Sequence, residues 1–250
     1  FSEYGSWRWI FFVNLPLGAF ALVVLQRRFT EVVERRSHQI DYVGAGLLTL
    51  GCSLLILGLL EGGNAWAWSS ATSALVLVSA VVALVAFGYV ERSAAEPVLP
   101  LWVFRRRVLV GGKLVAVTTG ALLVGLSTYV PTYVQRVLGT GPVVAGFALA
   151  ALTLGWPIAA SQSGRVYLRI GFRDTALVGL VFAITGALLA TQLTARSPVW
   201  HVAAALFVIG LGMGLIGSPL VVAVQSVVGW DRRGVVTGAN MFSRAMGSAL

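Results

Sequence analysis

Charge is what this 250-residue sequence has least of. Asp, Glu, Lys and Arg together make 11% of it, where a soluble domain carries about a quarter. A water-soluble helical bundle needs a polar face along every helix, and so small a supply cannot provide one. Cysteine occurs once, at Cys52 inside an apolar run, which excludes an internal disulfide framework and a thiolate metal cluster. The two histidines, His38 and His201, are far apart in sequence and fall at the edges of apolar runs. No Ser-His-Asp, Cys-His or metal-ligating set can be assembled, so no catalytic residue, metal or cofactor is expected. Lysine is reduced to Lys113, and no acidic residue lies in the middle of a complete apolar run.

In place of charge there are long oily segments. Hydrophobic residues make 58% of the chain and its mean hydropathy is +0.88. The runs are too long and continuous for strands and match the roughly 20 residues that a helix needs to cross a bilayer. Their breaks predict spans at 8–27, 42–60, 72–90, 108–130, 142–162, 174–194 and 201–227, with an eighth beginning near 234. The fold class expected is therefore an all-α, polytopic transmembrane bundle of seven full spans plus the start of another. Arginines mark one side: Arg27, Arg28, Arg35 and Arg36, then Arg92, Arg105, Arg106 and Arg107, then Arg165, Arg169 and Arg173, then Arg232 and Arg233. The opposite side holds only Arg8, Arg136 and Arg196, so the rich side is cytoplasmic. That placement accounts for the net charge of +9 through the lipid bilayer, with no nucleic acid as partner. A chain that begins with Phe1 and stops at Leu250 within an apolar run reads as an internal piece, so the rest of the same polypeptide is a further expected partner.

The chain has other landmarks. The stretch Trp7 to Gly18 places two tryptophans around Arg8 at the headgroup level, followed by Asn14, Pro16 and Gly18 within the first span. Pro16 is expected mid-span, with Asn14 satisfying the carbonyl it frees. Residues 29–40 read equally as an interfacial amphipathic helix or a solvated linker. Gly212 to Gly217 matches G-x-G-x-x-G, but no strand precedes it and no acidic residue follows at the required distance, so it reads as close helix packing. Lys113 lies near enough to the cytoplasmic edge to snorkel. Polar groups at membrane depth are costly and mark candidate substrate contacts. They are Asn14, Thr118, Thr119, Tyr129, Asn240 and Arg244, with Trp156 as an aromatic wall beside Pro157.

Several of these motifs carry a resemblance. Trp7-Arg8-Trp9-Ile10-Phe11 with Asn14, Pro16 and Gly18 resembles the sixth span of fourteen-span drug:proton antiporters of the major facilitator superfamily. Asp41-Tyr42 with Gly44, and Gly62-Gly63, resemble the first of the two extra spans separating that family's halves. Pro97 to Pro100 resembles the lead into its second bundle. Gly141-Pro142, then Gly164-Arg165, Arg169 and Gly171, then Gly210, Gly214 and Pro219, and finally Gly238 and Arg244 follow in the family's order. At Leu168 this sequence departs from the family's cytoplasmic loop motif, which has an acid there. The resemblance implies five segments: residues 1–27, last span of the N-terminal bundle; 28–40, cytoplasmic loop; 41–90, two extra spans; 91–107, cytoplasmic loop; 108–250, truncated C-terminal bundle. It implies alternating access and proton-coupled efflux of amphipathic organic compounds from a bacterial cytoplasmic membrane, with protons as coupling ion and the coupling acid elsewhere in the polypeptide. It also casts Pro16, Gly18, Gly141, Pro142, Gly164, Arg165, Arg169, Gly171, Gly210, Gly214 and Pro219 as packing or gating positions. An importer, or a non-transporting sensor or assembly subunit, remains as the alternative.

Overall fold

The computed structural model describes residues 8–28 and 41–249. Two compact units divide the chain after residue 38. In the first, a short helix α1 (Trp9–Phe12) opens on backbone bonds from Phe11 and Phe12 to the Arg8 carbonyl, and α2 (Asn14–Arg28) follows after a break at Val13. The proline is thus not mid-span as the sequence suggests. Asn14 is the first residue of α2 and Pro16 sits in its first turn, where a missing N–H removes a donor that had no intrahelical acceptor. The helix breaks ahead of the proline instead of bending through it. Residues 29–40, for which a surface helix and a linker were both open, lie outside the described residues.

In the second unit, α3 (Tyr42–Glu61) and α4 (Ala71–Ser93) form an antiparallel hairpin. Asp41 caps α3 by accepting from the Gly44 N–H at 2.8 Å, and Ser70 caps α4 through Ser73. The buried residues of α3 are Gly44, Gly51 and Gly58. A seven-residue spacing keeps one small face turned to the partner, and it lets Leu84 and Leu77 of α4 lie where a Cβ would stand. Membrane helices gain little from hydrophobic transfer between themselves, so this close contact is what holds the hairpin.

The remaining helices are α5 (Arg107–Arg136), α6 (Pro142–Thr191), α7 (Val199–Ser226) and α8 (Arg233–Ala249). Among the described residues five helices, α3 to α7, are long and apolar enough to span a bilayer, and the 15-residue α2, over the first span expected at 8–27, is not one of them. Helix α6 makes two crossings. The expected loop between 162 and 174 is absent among the described residues: the helix runs to Ile170, reverses at Gly171 (φ 85°, ψ 166°) and continues. That backbone region is open essentially to glycine alone. Similarly, α5 runs on through Pro131 to Arg136, beyond the span end expected at 130.

Helix α7 lies between the two arms of α6, and its glycines explain how. Gly210 and Gly214 face the first arm, their missing Cβ positions 2.4 Å from the carbonyls of Leu152 and Trp156. Gly212 faces the second arm, 2.5 Å from the Gly179 carbonyl. The motif resembling a dinucleotide loop is therefore a helix packed tightly on two sides. An outer core of Val134, Ala145, Leu152, Leu206, Ile209 and Met213 fills the junction of α5, α6 and α7. At the opposite, arginine-rich end Phe87, Leu99, Val103, Leu109, Val224 and Val236 form a second core. Residues 91–107, expected as a loop, are therefore partly interior: a short 3₁₀ turn spans Leu101–Phe104 and Val103 is 1% exposed.

Candidate functional site

Helices α5 and α8 run side by side in the same direction, with Gly120 against the Arg244 carbonyl and Gly247 against that of Val117. Thr118 and Arg244 each lie eleven residues from the start of their helix, about 16 Å at ~1.5 Å per residue, which is half the thickness of a hydrocarbon core about 30 Å deep. The sequence groups both as substrate contacts, but the structure places them in different cavities.

Thr118 and Thr119 line a cavity of about 510 Å³ bounded by α5, the second arm of α6 and α7, with Leu180, Ala183 and Met213 among its walls. The Thr118 hydroxyl is spent on the carbonyls of Leu114 and Val115, at 3.2 and 3.0 Å. A serine or threonine bonded to its own helix presents little polarity to a ligand. Except for Arg173 at one end, this is a largely apolar space.

Asn240 and Arg244 line a second cavity, of about 450 Å³, between α7 and α8. The Asn240 amide donates to the Gly112 carbonyl at 3.2 Å, pinning α8 to α5 where Gly112 leaves no side chain in the way. Arg244, one turn on, keeps an exposed side chain on the same wall. Among the described residues no ion pair is formed by Arg244. Thr237 and Ser248 extend this polar stripe, and Gln225 of α7 donates to the Thr237 hydroxyl at 2.9 Å. The sequence reading stopped at Asn240 and Arg244, although the i, i+3, i+7, i+11 spacing of Thr237, Asn240, Arg244 and Ser248 was available to extend it.

The other candidates separate. Trp156 lines neither of these two cavities: its carbonyl abuts Gly214, its ring lies by Gly217, and it packs on the outer core. Tyr129 is 74% exposed on α5. Asn14, Pro16 and Gly18 belong to the first unit. Gly141 caps α6 with Pro142 in its first turn, while Gly164 is open and Arg165 donates to Gln162 at 2.7 Å. Arg169 is exposed beside Leu168, and Pro219 is buried in α7. Lys113 does not reach out to the headgroups. It is 8% exposed, donates to the Val103 carbonyl at 3.1 Å and stands 3.3 Å from the Phe104 ring centroid.

Long apolar helices with alternating charged ends, interior small-residue contacts and a polar cavity at mid-membrane depth define a multi-pass α-helical membrane protein. The sequence matches the Major Facilitator Superfamily profile over residues 1–250, and the chain belongs to that family. It is 29% identical over 98% of its length to Multidrug resistance protein 3 of Bacillus subtilis (strain 168), covering 48% of that protein. It is 28% identical over 97% to Multidrug transporter protein MdtP of the same organism, covering 45%. To Multidrug resistance protein Stp of Mycobacterium tuberculosis (strain CDC 1551 / Oshkosh) it is 27% identical over 98%, again covering 45%. The chain thus spans about half the length of these curated relatives.

Proposed function

We propose that the protein to which this chain belongs is a secondary active exporter of amphipathic organic compounds, driven by proton entry across a bacterial cytoplasmic membrane. The observation that carries this reading is the cavity lined by Asn240 and Arg244, in a chain whose relatives are named as multidrug transporters. A charge held at mid-membrane depth is costly and is retained where it meets a ligand or water-filled path. In this half the cavity offers a guanidinium and an amide, so it suits the acceptor groups of a neutral or weakly anionic portion of the substrate. Residues 108–250 act as the second bundle, rocking against the first about the central site, and 41–90 as the two additional spans. The test is dye accumulation in cells expressing the full polypeptide, with ethidium and a neutral amphipathic dye. Lower accumulation than in control cells, abolished by collapsing the proton gradient and by Arg244→Leu, is the expected result. Equal accumulation across the panel with a well-folded protein would remove the exporter reading.

A further inference from the structure

One groove in the second unit joins an oily wall to a cation. It lies at the arginine-rich end of α4, where Val85, Gly88, Tyr89 and Arg92 meet Leu101 of the 3₁₀ turn around a space of about 280 Å³. None of these five residues lines the cavity beside Thr118 or the one beside Arg244. Their spacing puts the four residues of α4 on one stripe of the helix. The neighbouring stripe, Phe87 and Glu91, is buried against the segment that leads to α5. Glu91 Oε1 accepts the Leu99 N–H, Val103 sits in the core, and the Lys113 ammonium donates to the Val103 carbonyl at 3.1 Å. The turn is thus fastened before and within its length, and Leu101 stands beside α4 as a fixed wall. Gly88 is what opens the groove, since nothing stands within 4 Å of its missing Cβ.

The groove changes character along its length. Val85 and Gly88 belong to the apolar run of α4, whereas Arg92 sits in the last turn of that helix. The Arg92 guanidinium lies 5.5 Å from the Tyr89 ring centroid. A guanidinium laid over a ring keeps N–H groups free at its edge for a second partner. Among the described residues no carboxylate pairs with it. An apolar wall in a membrane-spanning helix, ending on a guanidinium at the boundary, matches a molecule built in the same order of acyl chain and phosphate. Arginine pairs with phosphate through two N–H groups at once. A soluble anion would leave the apolar half unused, and a zwitterionic headgroup would bring a cation of its own towards Arg92. We propose that this groove binds one anionic phospholipid, with its phosphate on Arg92 and the start of an acyl chain against Val85, Gly88 and Leu101. Exposed Arg105, just past the turn, adds to the positive field that draws such a headgroup. Bound there, the lipid bridges α4 and the 3₁₀ turn, so the anionic lipid of the membrane steadies the join between the hairpin and the segment leading into α5.

The site shares no residue with the proposed substrate cavity and its test uses no transported compound, so it and the exporter reading fail separately. The full polypeptide in detergent is titrated with phosphatidylglycerol and with phosphatidylcholine of the same acyl chains, and bound lipid is counted by native mass spectrometry. The first phosphatidylglycerol should bind about tenfold more tightly than phosphatidylcholine, as expected of one charge-assisted contact. Arg92→Gln should abolish that preference, and Gly88→Leu, which fills the groove, should weaken phosphatidylglycerol binding about tenfold. Arg136→Gln, at an exposed arginine outside the groove, should bind as the parent does. Glycerol phosphate, which carries the anion without the chains, should fail to displace the lipid. Equal binding of the two lipids by the parent, a preference that survives Arg92→Gln, unchanged binding in a folded Gly88→Leu variant, or displacement by glycerol phosphate overturns the proposal. Should Gly88→Leu fail to fold, Arg92→Gln decides it, because that side chain is exposed.

Discussion

Placing α7 between the arms of α6 makes a sharp demand on three glycines. A Cβ on Gly210 would lie 2.4 Å from the Leu152 carbonyl, one on Gly214 2.4 Å from the Trp156 carbonyl, and one on Gly212 2.5 Å from the Gly179 carbonyl. Ordinary contact begins near 3.4 Å, so each alanine forces backbones apart by close to an ångström. Overpacking of this kind costs about 1–3 kcal/mol, against a helix-propensity gain of up to ~1 kcal/mol for replacing glycine. For a chain of this size 1 kcal/mol corresponds to roughly 2–4 °C in Tm, so each variant should melt several degrees below the parent in detergent. Gly46→Ala, where nothing approaches within 4 Å, is the control and should melt at or above the parent. Pairs sharpen the test. Gly210→Ala and Gly214→Ala act on one interface, so once the first arm has shifted the second change should cost less than it does alone. Gly210→Ala with Gly212→Ala presses on opposite arms, so neither shift relieves the other and the double variant should lose at least the sum of the two single losses. If Gly212→Ala melts like the parent, or if the opposite-face pair is strongly sub-additive, α7 is not held between the two arms.

Two further outcomes follow from particular residues. Gly171→Ala meets no atom within 4 Å yet should cost about 1–3 kcal/mol in thermal unfolding, and Gly171→Asn should not restore it, because the backbone there lies outside the region asparagine tolerates. In a Cys52→Ala background, a membrane-impermeant maleimide added to intact cells should label Ser70→Cys and spare Ser226→Cys until the membrane is opened. Labelling of both from outside would refute the assigned orientation.

Much of this protein was decided by sequence alone. The all-α class and the membrane-length runs follow from composition and spacing, because a bilayer penalises every exposed backbone polar group whatever the tertiary contacts. What sequence could not decide is which polar groups meet. Thr118 and Arg244 share a depth, yet helix rotation turns them to separate cavities. Pro16 reads as a mid-span kink until the break at Val13 makes it part of a first turn. Gly171 looks like one glycine among many in a loop, and only its positive φ shows that it is the whole turn. Glu91 is buried against the backbone N–H of Leu99, eight positions on, which reaches it only because the segment after α4 turns inward. Depth and sidedness are properties of single segments dissolved in lipid, whereas facing and pairing belong to the packed set.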